Sequence, residues 1–249
     1  MMTTRRIAGQ ALAACLTLAW TETAGAQLPT VAVVYRLLQG GELRVKPTGA
    51  AERPGRIGDV LRNGDEVATG ANTRAALRFS EDRSILRLNP NSTVHLSSGS
   101  AGGVLVRTLR MELGEVWVRV NRRDGTTLRV STPAGVAAVK GTEFLVRVDA
   151  ERVTTVITLE GVVEFFNQGG RVDLPAGSKV VAADSAAVPR AVPATADDRR
   201  QGEEVRGEEG GDVRGAWVEV ELRNATGQTR KLMLQVPADA LRQRVEGRP

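Results

Sequence analysis

His95 is the sole histidine and Cys15 the sole cysteine in the 249 residues, so most nucleophilic and metal-assisted chemistries lack their usual side chains. Thr93-Val94-His95-Leu96 has the alternation of a strand, which sets the His95 ring on the face opposite its apolar neighbours, at the surface. No Ser-His-Asp set can be assembled around it. Ser178-Lys179 joins a nucleophile to a base in sequence only, because neighbours on a strand point to opposite faces. Glu81-Asp82 lacks the spacing of a calcium loop and reads as a turn pair. What remains is a set of carboxylates beside glycines: Asp59, Asp65, Glu66, Glu115, Glu143 and Glu160. A glycosidase needs two such groups facing each other across a cleft, whereas an exposed strand end accounts for each without chemistry. The expectation is a non-catalytic chain with no cofactor and no metal, and a carbohydrate-active enzyme is the alternative from that class.

The elements that hold these residues begin after a leader-like segment. Arg5-Arg6 precedes an apolar run from Ile7 to Trp20, and Ala24-Gly25-Ala26 supplies small residues where a signal peptidase needs them. The run is 14 residues and would rise about 21 Å as a helix, short of the roughly 30 Å hydrocarbon core. Residues 1–26 therefore read as a signal peptide cleaved after Ala26, which places the mature chain in the periplasm or outside the cell. Leu12-Ala13-Ala14-Cys15 also has the form of a lipobox, with lipidated Cys15 as the competing mature terminus. Cleavage after Ala26 removes the lone cysteine, and with it any disulfide, thiol nucleophile or thiolate metal site. No later segment is long and apolar enough to span a bilayer as a helix, so an integral membrane protein is not expected.

Of the 34 basic residues only Lys46, Lys140, Lys179 and Lys231 are lysines, leaving 30 arginines. These alternate with apolar residues, as in Leu86-Arg87-Leu88 and Val118-Arg119-Val120, which predicts arginine on the solvent face of strands. Three tryptophans, one tyrosine and four phenylalanines offer few platforms for stacking bases. Nucleic acid is not an expected partner.

Residues 27–185 read as one all-β domain of short strands separated by Gly, Asn, Asp and Pro. Period two is clear in Ala76-Leu77-Arg78-Phe79, Ile85-Leu86-Arg87-Leu88 and Val116-Trp117-Val118-Arg119-Val120. Turn glycines recur at Gly58, Gly64, Gly70, Gly114, Gly141, Gly161 and Gly177, without the constant period of a solenoid. The fold expected is a many-stranded sandwich or an irregular β-roll. Residues 186–215 hold almost nothing apolar and are expected to form a disordered charged linker. Residues 216–249 read as a β-hairpin around Asn224-Ala225-Thr226-Gly227, followed by a short helix from Pro237. That hairpin either docks a partner or closes the main domain.

Seven short motifs in order carry a family resemblance. They are Gly58-Asp59 with Gly64-Asp65; Thr69-Gly70; Leu86 and Leu88 after a polar turn; Gly114-Glu115-Val116; Thr132-Pro133-Ala134-Gly135 with Lys140-Gly141-Thr142-Glu143-Phe144; Leu159-Glu160-Gly161-Val162-Val163; and Leu174-Pro175-Ala176-Gly177. Between about Ile57 and Val181 the chain resembles the FecR domain, an all-β extracytoplasmic module of bacterial transmembrane signalling. Glu81-Asp82-Arg83-Ser84 stands where that family commonly has Asp-Gly-Ser, and Lys140 where arginine is commoner. The motif residues Gly58, Asp59, Gly64, Asp65, Gly114, Pro133, Gly135, Gly141, Thr142, Phe144, Gly161 and Gly177 are expected to serve the fold, with Thr142 hydrogen-bonding across its turn. Family members of the prototypical kind place a sigma-factor regulator before their membrane span, and Met1 to Arg6 is too short for one. The resemblance thus implies an extracytoplasmic module binding an envelope protein or a surface glycan. A sensor relaying through a partner membrane regulator is the signalling alternative.

Overall fold

A computed structural model describes residues 30–38, 41–207, 215–223 and 229–237. The expected signal peptide, Cys15 and the helix expected beyond Pro237 lie outside the described residues. The first half contributes β1 (Thr30–Leu38), β2 (Leu43–Lys46), β3 (Arg53–Pro54), β4 (Val60–Arg62), β5 (Glu66–Thr69), β6 (Arg74–Phe79), β7 (Ile85–Leu88) and β8 (Thr93–Ala101). Strand β9 (Val104–Arg119) is followed by β10 (Thr126–Thr132), β11 (Gly135–Val139), β12 (Glu143–Val148) and β13 (Thr154–Glu160). Then come β14 (Val162–Asn167), β15 (Gly170–Pro175), β16 (Ser178–Ala182), β17 (Val192–Pro193), helix α1 (Ala196–Gly207), β18 (Gly215–Arg223) and β19 (Thr229–Pro237). The fold is all-β, with α1 the one helix among the described residues.

The pairings resolve into two layers. Sheet A runs β4-β1-β6-β7-β9-β12-β13-β16-β17, antiparallel throughout. Sheet B runs β3-β2-β5-β8-β9-β10-β11-β14-β15, with a single parallel pair, β9 and β10. Strand β9 belongs to both. Its first part lies between β8 and β10, and from Gly114 it continues between β7 and β12. The inward residues shift phase at this point: Leu109 and Met111 face the core before the bend, Val116 and Val118 after it. Gly114 thus lies within a 16-residue strand, where the sequence suggested the opening of a new one. The bend requires glycine, since φ there is +107° and an added Cβ would lie 2.4 Å from Ser92 Cα. Ser92 Oγ accepts from Glu115 N–H at 2.9 Å and donates to Glu115 C=O at 3.0 Å, pinning the corner.

The apolar core lies between the layers. Leu61, Leu77, Leu86, Val118 and Phe144 of sheet A meet Val45, Val67, Leu96, Leu128 and Phe165 of sheet B, all with no exposed surface. Two turns of one design enter this framework. In Arg56-Ile57-Gly58-Asp59 and Arg62-Asn63-Gly64-Asp65 the aspartate N–H donates to the arginine C=O at 3.1 Å. The aspartate carboxylate in turn accepts the arginine N–H, at 2.9 Å and 2.8 Å respectively. Gly58 and Gly64 supply the φ of +89° and +90° that such a turn requires. At Glu81-Asp82-Arg83-Ser84 the left-handed position falls on Arg83, with φ +60°, and Asp82 Oδ1 accepts Ser84 N–H at 2.9 Å.

Several sequence expectations need correction. Arginine does not remain on the solvent face throughout. Arg107 points inward from β9, 2% exposed, where it forms a two-pronged ion pair with equally buried Asp82 at 2.8 and 2.5 Å. Its guanidinium lies 4.5 Å from the Phe79 ring centre. The pair ties sheet B to the β6–β7 turn of sheet A, and the fork geometry of arginine makes it tolerable at that depth. Residues 186–215 are not a structureless linker over their described part: β17 and α1 lie there, with Ala194 buried. The helix starts because Thr195 and Asp198 form a capping box, Asp198 N–H donating to Thr195 Oγ1 at 3.2 Å and Thr195 N–H to Asp198 Oδ2 at 2.7 Å. The hairpin expected at Trp217–Val236 is present as β18 and β19, and β19 lies near β1.

Gly141 is not a left-handed corner. A Cβ there would meet the side chain of Arg122 at 2.9 Å, and φ is not positive. Alanine at Gly114 is therefore expected to cost about 3 kcal/mol by combining backbone strain with a backbone clash, against ~1–2 kcal/mol at Gly141, where a Cβ crowds Arg122 Cβ but adds no left-handed strain. Urea denaturation of the two variants checks the order, and equal losses would refute it. Asp82→Ala leaves Arg107 buried without its counter-charge and is expected to cost about 3–5 kcal/mol, while Asp82→Leu combined with Arg107→Met recovers most of that loss. The same denaturation series measures both.

Candidate functional site

The two outer faces of the sandwich differ. On sheet A, Arg87, Trp117, Leu145, Ile157 and Lys179 stand opposite one another on consecutive strands. Trp117 is fully buried, and the guanidinium carbons of Arg87 and Arg119 lie 4.7 and 5.0 Å from its ring centre. Its indole N–H donates to Glu143 Oε1 at 3.3 Å, while Arg119 donates to Glu143 Oε2 from Nε at 3.2 Å and Nη2 at 3.1 Å. Trp117, Leu145, Ile157 and Ala194 form a second apolar cluster outside the main core.

A strap that begins at β17 and runs through α1, residues 192–207, crosses this face. Gln201 bridges Glu115 and Arg147, donating to both Glu115 oxygens at 2.8 Å and accepting from Arg147 Nη2 at 2.5 Å. Lys179 Nζ meets Asp198 Oδ2 at 2.7 Å. Gly202 sits so close to Leu159 that an added Cβ would be 2.6 Å from its side chain. Burial raises the pKa of Asp198, but hydrogen bonds from Lys179 and Thr195 outweigh it and hold the carboxyl below its ordinary value. A depressed carboxylate stabilises the docked strap above its unfolded pKa and loses that contribution as pH falls through the folded one.

Among the described residues, sheet B carries no such strap. Across its outer face Thr108, Arg129, Ala138, Glu164 and Asp173 stand opposite one another in register, and Val136, Phe166 and Arg171 form the adjacent row. The β8–β9 hairpin turns at Gly102-Gly103, with φ of +57° and +78°, and its tip residues Ala101 and Val104 wall one side. The result is a groove of about 620 Å³. Val162 is 53% exposed within it, Glu164 pairs with Arg171 at 2.9 Å, and Arg171 lies 5.9 Å from the Phe166 ring centre. Sequence reasoning missed this groove, because Val106, Ala138 and Val162 look like ordinary strand residues until the register brings them together.

The chemistry-bearing residues are dispersed. His95 is on the outer face of sheet B, 3.3 Å from Glu66 Oε2. Ser178 Oγ donates to Pro175 C=O at 2.6 Å while Lys179 pairs with Asp198, so the two do not meet. Asp59 accepts from Arg53 at 2.6 Å, and Asp65 is held in its turn by Thr48 N–H at 3.0 Å and by Arg62 N–H. Glu115 and Glu143 are engaged beneath or beside the strap, and Glu160 stands opposite Glu143 in the strand register. Among the described residues no group of three His, Cys, Asp or Glu side chains could hold a metal. Among the other motif residues, Gly161 and Gly177 take φ of +81° and +80°, and Phe144 is in the core. Gly135 abuts Phe165 (an added Cβ would lie 2.5 Å from its ring), and Pro133 lies in the turn before β11. Thr142 does not hydrogen-bond across its turn; its Oγ1 has no partner among the described residues, and its Cγ2 sits against Gly161.

The family described as FecR protein matches residues 65–164, so this stretch of the sandwich is similar to a FecR domain. The match covers β5 to β13 and the first half of β14, a shorter stretch than the 57–181 suggested by the motifs. Two crystal structures of a proposed anti-sigma factor from Parabacteroides distasonis ATCC 8503, at 1.65 and 2.50 Å, are similar at 17% identity and a TM-score of 0.47. Each alignment covers 57% of this chain and 65% or 64% of the other, less than two thirds of its length. No curated protein matches the chain significantly. Among the described residues no helix is long and apolar enough to cross a membrane.

Hydrogen exchange of the α1 amides tests the strap. Acidification from the ordinary carboxylate range to below it is expected to accelerate their exchange, corrected for intrinsic rates, before that of β9. Asp198→Ala is expected to bring the faster exchange to neutral pH; an unchanged α1 in that variant would show that the Lys179–Asp198 contact does not hold the strap.

Proposed function

We propose that this chain is a non-catalytic, extracytoplasmic interaction module of the cell envelope, meeting its partner through the outer face of sheet B. One observation carries the reading: among the described residues a strap lies across sheet A, while the apolar-floored groove on sheet B is uncovered. Exposed apolar surface rimmed by charge is a common mark of protein contact. The FecR match at residues 65–164 supports a regulator-related, non-enzymatic role. The leader-like sequence up to Ala26 supports export to the periplasm or beyond, with lipidation at Cys15 as the alternative route of retention.

The FecR match also favours a second reading, in which the module senses envelope status and relays it through a membrane regulator. The two differ in the nature of the partner. Photo-crosslinking in intact envelopes separates them, with the reactive side chain placed at Val162 in the groove or at Arg200 on the strap. The proposal expects a defined protein adduct from Val162 and none from Arg200. A membrane-embedded regulator as that adduct establishes the sensor reading. An adduct from Arg200 alone, or from neither position, contradicts the use of sheet B.

A further inference from the structure

We infer that the groove on sheet B binds an extended peptide segment carrying a localised acidic residue beside small apolar ones, an inference that rests on the interaction-module reading. The argument starts with two cations. Arg129 on β10 stands opposite Ala138 on β11, and Lys140 lies two residues beyond Ala138. Lys140 stands in the bend that follows β11, so its place beside Arg129 approximates the diagonal of a β-ladder, about 7–8 Å between neighbouring positions. Both side chains are exposed, both line the groove, and neither has an ion-pair or hydrogen-bond partner among the described residues. Two like charges held side by side over Ala138 and Thr127 repel each other, and an anion shared between them relieves the repulsion. Glu164 does not serve, because Arg171 already holds it at 2.9 Å.

The other side of the groove sets the class of ligand. Glu164 and Asp173 stand opposite each other on β14 and β15, and Arg171 balances only Glu164, so net negative charge remains on the rim away from Arg129 and Lys140. A uniformly anionic polymer would gain at one rim and be repelled at the other. A neutral sugar presents hydroxyls that need polar partners, which Val106, Ala138 and Val162 on the floor do not supply. Nor is the Phe166 ring a free platform, since Arg171 lies over it at 5.9 Å. An extended peptide suits all of these features. Its alternate side chains point one way, so apolar groups can reach the floor while a carboxylate meets Arg129 and Lys140. The volume of about 620 Å³ admits several residues of such a chain.

Selection from a random twelve-residue displayed peptide library, against the full chain and against Arg129→Glu/Lys140→Glu, tests this. Both targets are first checked for matching thermal unfolding. The wild-type chain is expected to enrich peptides with Asp or Glu flanked by Val, Ala or Leu. The double variant is expected to bind those peptides at least tenfold more weakly and to enrich Lys or Arg at the same place. Selection indifferent to the charge reversal overturns the inference, as does binding of immobilised polygalacturonate that depends on Arg129 and Lys140 where no peptide is enriched. The two proposals fail separately: a partner crosslinked through Val162 with no acidic preference sinks the peptide class alone. Loss of all crosslinking through that face sinks the interaction reading as well.

Discussion

The passage of β9 through both sheets is the constraint on which the remaining structure depends. A sandwich ordinarily holds its layers together by side-chain burial across the gap. Here one backbone is hydrogen-bonded to β8 and β10 in one layer and to β7 and β12 in the other. Bending the strand at Gly114 reverses the phase of its side chains, so that Met111 and Val116 both reach the core. That bend needs a residue without a Cβ and a neighbour, Ser92, able to satisfy the backbone on the far side of the corner. The four strands that precede β9 in each layer, and the four that follow it, extend the sheets outward from this shared strand.

The same geometry creates the contrast between the outer faces. Past the bend, the side chains leaving the core from β9 are Glu115, Trp117 and Arg119. A tryptophan there exposes more apolar surface than a solvated sheet face can leave open, and the chain returns after β17 to cover it. The return segment is too polar to form a core of its own, so it is held by hydrogen bonds and ion pairs at Gln201 and Asp198 around a small apolar contact with Leu159. Before the bend, the outward residues Val104, Val106 and Thr108 are smaller. No comparable bulk calls for a strap, and the β8–β9 hairpin tip instead walls a groove.

Much of this was legible in the sequence. Alternation in Ala76–Phe79 and Val116–Val120 announced strands and their buried face, and the Gly-Asp pairs announced turns. The FecR resemblance followed from motifs spread along these strands, and the family match confirms its centre. The failures have physical causes. Arg107 was read as solvated because period two assigns a face without knowing that Asp82 waits on the inner side. The strap was read as disorder because it is almost wholly polar, although Thr195 and Asp198 already held the spacing of a capping box. The groove was invisible for another reason: its floor is assembled from β9, β10, β11 and β14, and only register determines which of their residues share a face.

The central claim is that one outer face is closed by the chain itself and the other is open to a partner. Hydroxyl-radical footprinting of the purified chain and of the chain in intact envelopes measures this directly. The account predicts that Trp117 stays unreactive in both, whereas Phe166 and Val162 react in the purified chain and become protected in the envelope. Rapid oxidation of Trp117 in the purified chain, or equal oxidation of Phe166 and Val162 in both settings, would contradict it.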